Sequence, residues 1–151
     1  MPCLLAVAAI CLPWGQLNIS VTDNSIARVA TFKSPTGEVA IWLSSDNIPY
    51  GDWAHAPQVC IGAKCMTYRR IDRSNPGSAK TTLLFCRSDE ALPERVEISA
   101  PTPNQRDRLL ASMALKPPFD ASKSLSLTAF SDTAAVGDSR EERVRGDGAC
   151  P

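Results

Sequence analysis

Apolar and polar residues alternate over residues 16–22, with Leu17, Ile19 and Val21 on one side and Asn18 and Ser20 on the other. That period of two marks a half-buried strand. Residues 26–33 and 38–43 are two more runs rich in Val, Ile, Phe and Trp, and Ser34-Pro35-Thr36-Gly37 lies between them. Proline suits the first central position of a β-turn and glycine follows it, so a hairpin is expected here. Residues 47–57 carry Pro49, Gly51 and Pro57 and read as a loop, while residues 59–61 and 64–71 predict a second hairpin. Ser74-Asn75-Pro76-Gly77 is a further turn. Residues 80–87 (KTTLLFCR) read as a buried strand, and residues 95–99 as a strand with Val96 and Ile98 on one side.

The period changes at residues 104–115 (NQRDRLLASMAL). Asn104 is a candidate N-cap, Asp107 is placed near the positive end of the helix dipole, and Leu109, Leu110, Met113 and Ala114 share one helical face. Pro117-Pro118 is expected to stop the helix. From residue 117 onward Ser, Asp, Ala and Gly dominate. Residues 117–151 are therefore expected to be a flexible, disordered tail, apart from a brief strand within 124–130.

Residues 1–13 (MPCLLAVAAICLP) hold an apolar run at 3–12 that is too short to span a bilayer. It resembles the apolar region of a secretory signal, so residues 1–15 are expected to be a leader, residues 16–116 a β-rich domain and residues 117–151 the tail. A buried first strand is the alternative.

Composition narrows the function classes. The apolar fraction is 44%, which suits a folded middle. Sixteen basic and sixteen acidic residues cancel, which argues against a chain built to coat nucleic acid or an anionic membrane. One histidine in the whole chain removes most His-based metal and catalytic designs. There is no Gly-rich phosphate loop, no GxSxG and no pair of carboxylates at helical spacing.

Six cysteines stand at 3, 11, 60, 65, 86 and 150. If Cys60 and Cys65 flank a four-residue hairpin loop they oppose each other across two strands, at Cα separations of about 4.5–5.5 Å. A disulfide requires about 4.4–6.8 Å, so a staple on the hairpin is expected in an oxidising compartment. Two alternatives remain open: a zinc site formed by Cys60, Cys65, Cys86 and His55, and a Cys–His nucleophile pair using His55. Cys86 reads as a buried strand residue, with pairing to Cys150 as its alternative. No cofactor is expected. Trp53 and His55 lie together in the 47–57 loop, and Tyr68-Arg69-Arg70, with Arg73 nearby, sets a basic cluster beside an aromatic. Trp53, His55, Tyr68, Arg69 and Arg70 are accordingly the candidate ligand contacts, weighed against a solvated strand face balanced by Asp72.

Taken in order, residues 26–32 (IARVATF), 37–43 (GEVAIWL), 47–51 (NIPYG), 58–67 (QVCIGAKCMT), 80–85 (KTTLLF), 96–99 (VEIS) and 108–115 resemble the invasion-associated locus B family of bacterial exported proteins. The likeness covers roughly residues 16–116. The cysteine at 86, the short segment between the hairpin and Lys80, and the tail depart from the family's pattern. The resemblance implies a small antiparallel β-sandwich-like domain, mainly β, of the periplasm or cell surface. It further implies a role in envelope physiology or host association, without known catalytic residues. Its expected partner is an envelope component or a host protein, with no nucleic acid and no stable membrane span.

Overall fold

The structure is a computed structural model that describes residues 3–4, 9–11, 18–23, 27–45, 53, 56–86, 93–117 and 122–131; for residues before Val29, Ser34 and residues 43–45 only the backbone pairing enters the description. The chain is mainly β. In order, its strands are β1 (Cys3–Leu4), β2 (Ala9–Cys11), β3 (Asn18–Asp23), β4 (Ala27–Ser34), β5 (Gly37–Ser45), β6 (Gln58–Ile61), β7 (Lys64–Asn75), β8 (Ser78–Phe85) and β9 (Arg95–Ala100). Helix α1 (Pro103–Ser112) follows, then β10 (Ala114–Lys116), β11 (Leu125–Ser126) and a single 3-10 turn, Leu127–Ala129.

Two meanders make one antiparallel sheet. The first runs β3-β4-β5, and the second runs β6-β7-β8-β9 back toward it until β9 pairs with β5. The order is therefore β3-β4-β5-β9-β8-β7, with β6 pairing the first part of β7 as a hairpin at that edge. Two-residue turns close the hairpins at Pro35–Thr36, Gly62–Ala63 and Pro76–Gly77. Gly62 and Gly77 have φ of 61° and 79°, which a side chain would disfavour. The long strand β7 continues four residues past the predicted end at Ile71, because Asp72 to Asn75 keep their pairing with β8.

The pleat gives the sheet two faces. One carries Ala30, Phe32, Val39, Ile41, Leu83, Val96 and Ile98, and α1 lies across β9, β8 and β5 on this side with Leu109 and Leu110 inward. Leu115, Leu127 and Phe130 complete that core. A small sheet, β1-β2-β10-β11, flanks it, so the expected two-layered β arrangement is present with the second sheet much the smaller. The other face carries a separate cluster of Trp53, Ile71, Leu84 and Cys86. The link from β5 to β6 has to pass from the middle of the sheet to its far edge, and Trp53 anchors it against β7 and β8.

Three boundaries differ from the sequence reading. The N-cap is Thr102, whose hydroxyl accepts from the Gln105 N–H at 3.3 Å, and Pro103 opens the helix, where its missing N–H costs nothing. Asn104 thus lies inside the first turn. Asp107 sits beyond it, paired with Arg106 at 3.0 Å, so it serves as a local ion partner and not as a dipole residue. The helix ends at Ser112, well before Pro117, because Met113 turns extended and Ala114–Lys116 pairs with β2 and β11. Order also continues past residue 117. Leu127 and Phe130 are fully buried, since the apolar positions of this segment fill the space beside Tyr68 and Phe85. Residues 132–151, and with them the remainder of the expected tail, lie outside the described residues. In the leader region the described backbone pairs Cys3 with Cys11, and Ala9–Cys11 with β10.

Gly37 begins β5 close under Leu109 of α1. A Cβ there would stand 2.5 Å from the Ser99 carbonyl oxygen and 2.5 Å from Leu109 Cδ1. The carbonyl belongs to the backbone of β9 and cannot yield cheaply. Gly37→Ala is expected to lower unfolding free energy by about 1–3 kcal/mol, measured by urea denaturation. Gly62→Ala meets no neighbour within 4 Å and is expected to cost only the left-handed backbone penalty of about 1–2 kcal/mol.

Candidate functional site

The hairpin that held the clearest chemical signal is stapled. Ile61 pairs with Lys64 around the two-residue turn, so Cys60 and Cys65 are directly opposed, one step out. In such a hairpin this second pair is the non-hydrogen-bonded kind, in which side chains come closest. Their Cα atoms are 3.9 Å apart and the sulfurs are bonded. The predicted loop of four residues is therefore a turn of two flanked by a paired residue on each side. Gln58 Nε2 donates to Thr67 Oγ1 at 3.2 Å and continues the cross-strand ladder below the disulfide. Cys86, buried just after β8, is disulfide-bonded as well. The sulfurs that a zinc site or a cysteine nucleophile would use are thus engaged with other sulfurs. Among the described residues, no group of three or more His, Cys, Asp and Glu side chains is placed to hold a metal ion.

The pleat divides the basic cluster at 68–73. Tyr68 is 2% exposed and meets Phe130 edge-on, with ring centroids 5.0 Å apart, so it is a core residue and not a surface platform. Arg70 points to the same face. Its Nε donates to Asp72 Oδ1 at 3.0 Å and its Nη1 to the Phe130 carbonyl at 3.2 Å, while the Thr81 hydroxyl donates to the same Asp72 oxygen at 2.7 Å. Arg70 therefore ties the C-terminal segment to the sheet. Arg69, Ile71 and Arg73 face the opposite way. Of the five candidate contacts, only Trp53 and Arg69 are found together on that second face. His55 lies outside the described residues.

Strand registers lay the second face out as three rows. The first reads Arg69, Leu84, Arg95, Trp42 and Val29; the next Ile71, Thr82, Glu97, Ala40 and Thr31; the last Arg73, Lys80, Ser99, Glu38 and Lys33. The half built on β7 and β8 lies with Trp53: Arg69, Ile71, Thr82 and Leu84 are all buried. The half built on β9, β5 and β4, together with Lys80 near the start of β8, is more open. Side-chain exposure is 40% at Lys80 and 33% at Arg95, and Lys33 and Glu38 are exposed. The Arg95 guanidinium lies 5.7 Å from the centre of the Trp42 ring. Glu97 accepts ion pairs from both Arg95 (3.3 Å) and Lys80 (3.2 Å). The last row borders a shallow depression of about 350 Å³ lined in part by Lys33, Glu38, Ser78 and Ser99. The indole N–H groups of Trp42 and Trp53 are buried without a hydrogen-bond partner, a state that natural interiors rarely leave uncompensated.

Sequence reading missed Trp42, Lys80, Arg95 and Glu97 as a group. They come from three separate strands, and only the β5-β9-β8 pairing makes them neighbours. Their odd-even positions within each strand were available, but the order of the strands was not.

Arg70→Ala is expected to leave Asp72 with the Thr81 hydroxyl but no cation, to remove the donor to the Phe130 carbonyl, and to destabilise the fold by about 1–3 kcal/mol, read as a lower thermal midpoint with faster proteolysis after residue 117.

No known protein family, no curated protein and no solved structure matches this chain.

Proposed function

We propose that this chain is an exported protein of the periplasm or the extracellular space. It acts by binding an envelope component or a host protein and not by catalysis, as its resemblance to the invasion-associated locus B family implies. The observation that carries the reading is the bond between Cys60 and Cys65, joined by a further disulfide at Cys86. Disulfides persist in oxidising compartments and are rare where glutathione and thioredoxin keep thiols reduced. The apolar run near the start of the chain suits a secretory route. No described helix is long and apolar enough to cross a membrane. The open half of the second sheet face supplies the binding surface.

Intact mass of the protein purified from its native host, with and without reductant, tests the reading. The expected result is loss of about the first 15 residues, as for a signal sequence, and a mass that rises on reduction by two hydrogen atoms for each bond broken. Cleavage there would remove β1 and β2 and leave β10 paired with β11 alone. All thiols free in native-host protein would overturn the proposal.

Replacing both Cys60 and Cys65 by Ser is expected to keep the fold and lower its stability by about 2 kcal/mol, because the closed loop is short. Denaturant unfolding of the double variant against the oxidised parent measures it.

A further inference from the structure

We infer that the segment beyond Ser131 is a strap, which passes round the open edge of β7 from the first face of the sheet to the second and is fastened there by a disulfide between Cys86 and Cys150. This stands apart from the binding function proposed above and does not depend on it.

The bonded state of Cys86 is the starting point. Cys60 and Cys65 are taken by each other, so within one chain the partner is Cys3, Cys11 or Cys150. Cys3 and Cys11 are register partners across β1 and β2, the relation that Cys60 and Cys65 have across β6 and β7. Directly opposed positions stand about 4.5–5.5 Å apart, inside disulfide range, so those two suit each other. They also belong to the wrong side of the molecule. β2 pairs with β10, which carries Leu115 of the first-face core, whereas Cys86 is buried in the second-face cluster with Trp53, Ile71 and Leu84. A disulfide does not bridge Cα atoms more than about 7 Å apart. Cys150 is the remaining partner. Its bond forms by thiol–disulfide exchange: one thiolate attacks a donor disulfide and the other displaces it, so the donor leaves as a dithiol with two electrons and two protons.

The start of the strap is fixed. Arg70 Nη1 donates to the Phe130 carbonyl on the first face, and from Ser131 to Cys150 the chain can span about 60 Å. Cys86 lies on the other face, three residues beyond Leu83, the register partner of Arg70, which is about 10 Å along the strand. The chain therefore has length to spare, and the nearest boundary of the sheet is the edge of β7 itself. β6 covers that edge from Lys64 to Thr67, and the Pro57 carbonyl takes the Tyr68 N–H. Past this point the edge opens. Asn75 and Ser78 flank the turn to β8, so by alternation the backbone groups of Ile71 and Arg73 face β8 and those of Arg70, Asp72 and Ser74 face away from it. Among the described residues no strand takes them. An uncovered row of this kind invites pairing with other chains, and a segment laid across it is one of the ways proteins shield an edge.

The bond is tested by tryptic digestion of unreduced native-host protein and mass spectrometry. Cleavage at Lys80 and Arg87 isolates Cys86 in residues 81–87, cleavage at Arg145 isolates Cys150 in residues 146–151, and Cys3 and Cys11 both precede the first site, Arg28. The expected result is residues 81–87 joined to 146–151 in protein whose intact mass is that of one chain. Residues 81–87 joined to the N-terminal peptide, joined to a second chain, or carrying a free thiol would each overturn the inference. The route is tested by amide hydrogen exchange on the parent and on Cys150→Ala. Arg70, Asp72 and Ser74 are expected to exchange about tenfold faster in the variant, while Ile71 and Arg73, bonded to β8, keep the parent's rates. Equal rates at all three outward amides in parent and variant would overturn the strap across the edge.

Discussion

The pairing of β9 with β5 on one side and with β8 on the other joins two meanders that would otherwise be separate ribbons, and most of the molecule follows from it. Val96 and Ile98 are fully buried because each is flanked on both sides, Val96 by Ile41 and Leu83, Ile98 by Val39 and Thr81. The Glu94 N–H donates to the Trp42 carbonyl at 2.8 Å and the Phe85 N–H to the Glu94 carbonyl at 3.2 Å, so the splice starts one residue before the strand. Closing this contact is costly in chain entropy because β5 and β9 are far apart in sequence. Once made, it provides a surface broad enough for α1 to cover.

The same junction makes the two faces unlike. On one side β4, β5, β7, β8 and β9 contribute aliphatic or aromatic residues, and α1, β10 and the 3-10 turn seal them. On the other, the crossing link carrying Trp53 meets β7 and β8, and the strands beyond it present charged and hydroxyl side chains around Trp42. A surface of this kind is stabilised less by burial than by pairing within itself. Glu97 holds two cations, and exposed pairs of this type contribute little to folding. Their cost to function would be correspondingly small if they were rearranged for a ligand.

The disulfides act at the margins of this frame. The Cys60–Cys65 bond fixes an edge hairpin that has few core contacts, with Val59 and Ile61 only partly buried. An unfastened two-strand edge is marginal in water and invites pairing with other chains. The staple keeps the edge in register while leaving the sheet interior to hydrophobic packing. At the opposite end of the chain order, Arg70 performs the comparable task for the segment ending at Phe130 through hydrogen bonds.

Local pattern alone determined the seven main strands, the three hairpin turns between them, the helix and the stapled cysteine pair, because each depends on residues close in sequence: a period of two, a proline-glycine turn, an amphipathic stretch, two cysteines flanking a tight loop. It misplaced the ends of α1, by two residues at the N-cap, where Thr102 and Asn104 are both good caps, and by three at the C-terminal end, where Ala114–Lys116 pairs as a strand. It also placed Tyr68 and Arg70 beside Arg69 as one cluster, although a strand sends neighbours to opposite faces. Which apolar run lies next to which was set only in three dimensions. The insertion of β9 between β5 and β8, the burial of Phe130 and the grouping of Trp42, Arg95, Glu97 and Lys80 across three rows arise from strand order, and strand order is decided by long-range pairing that no short window of sequence contains.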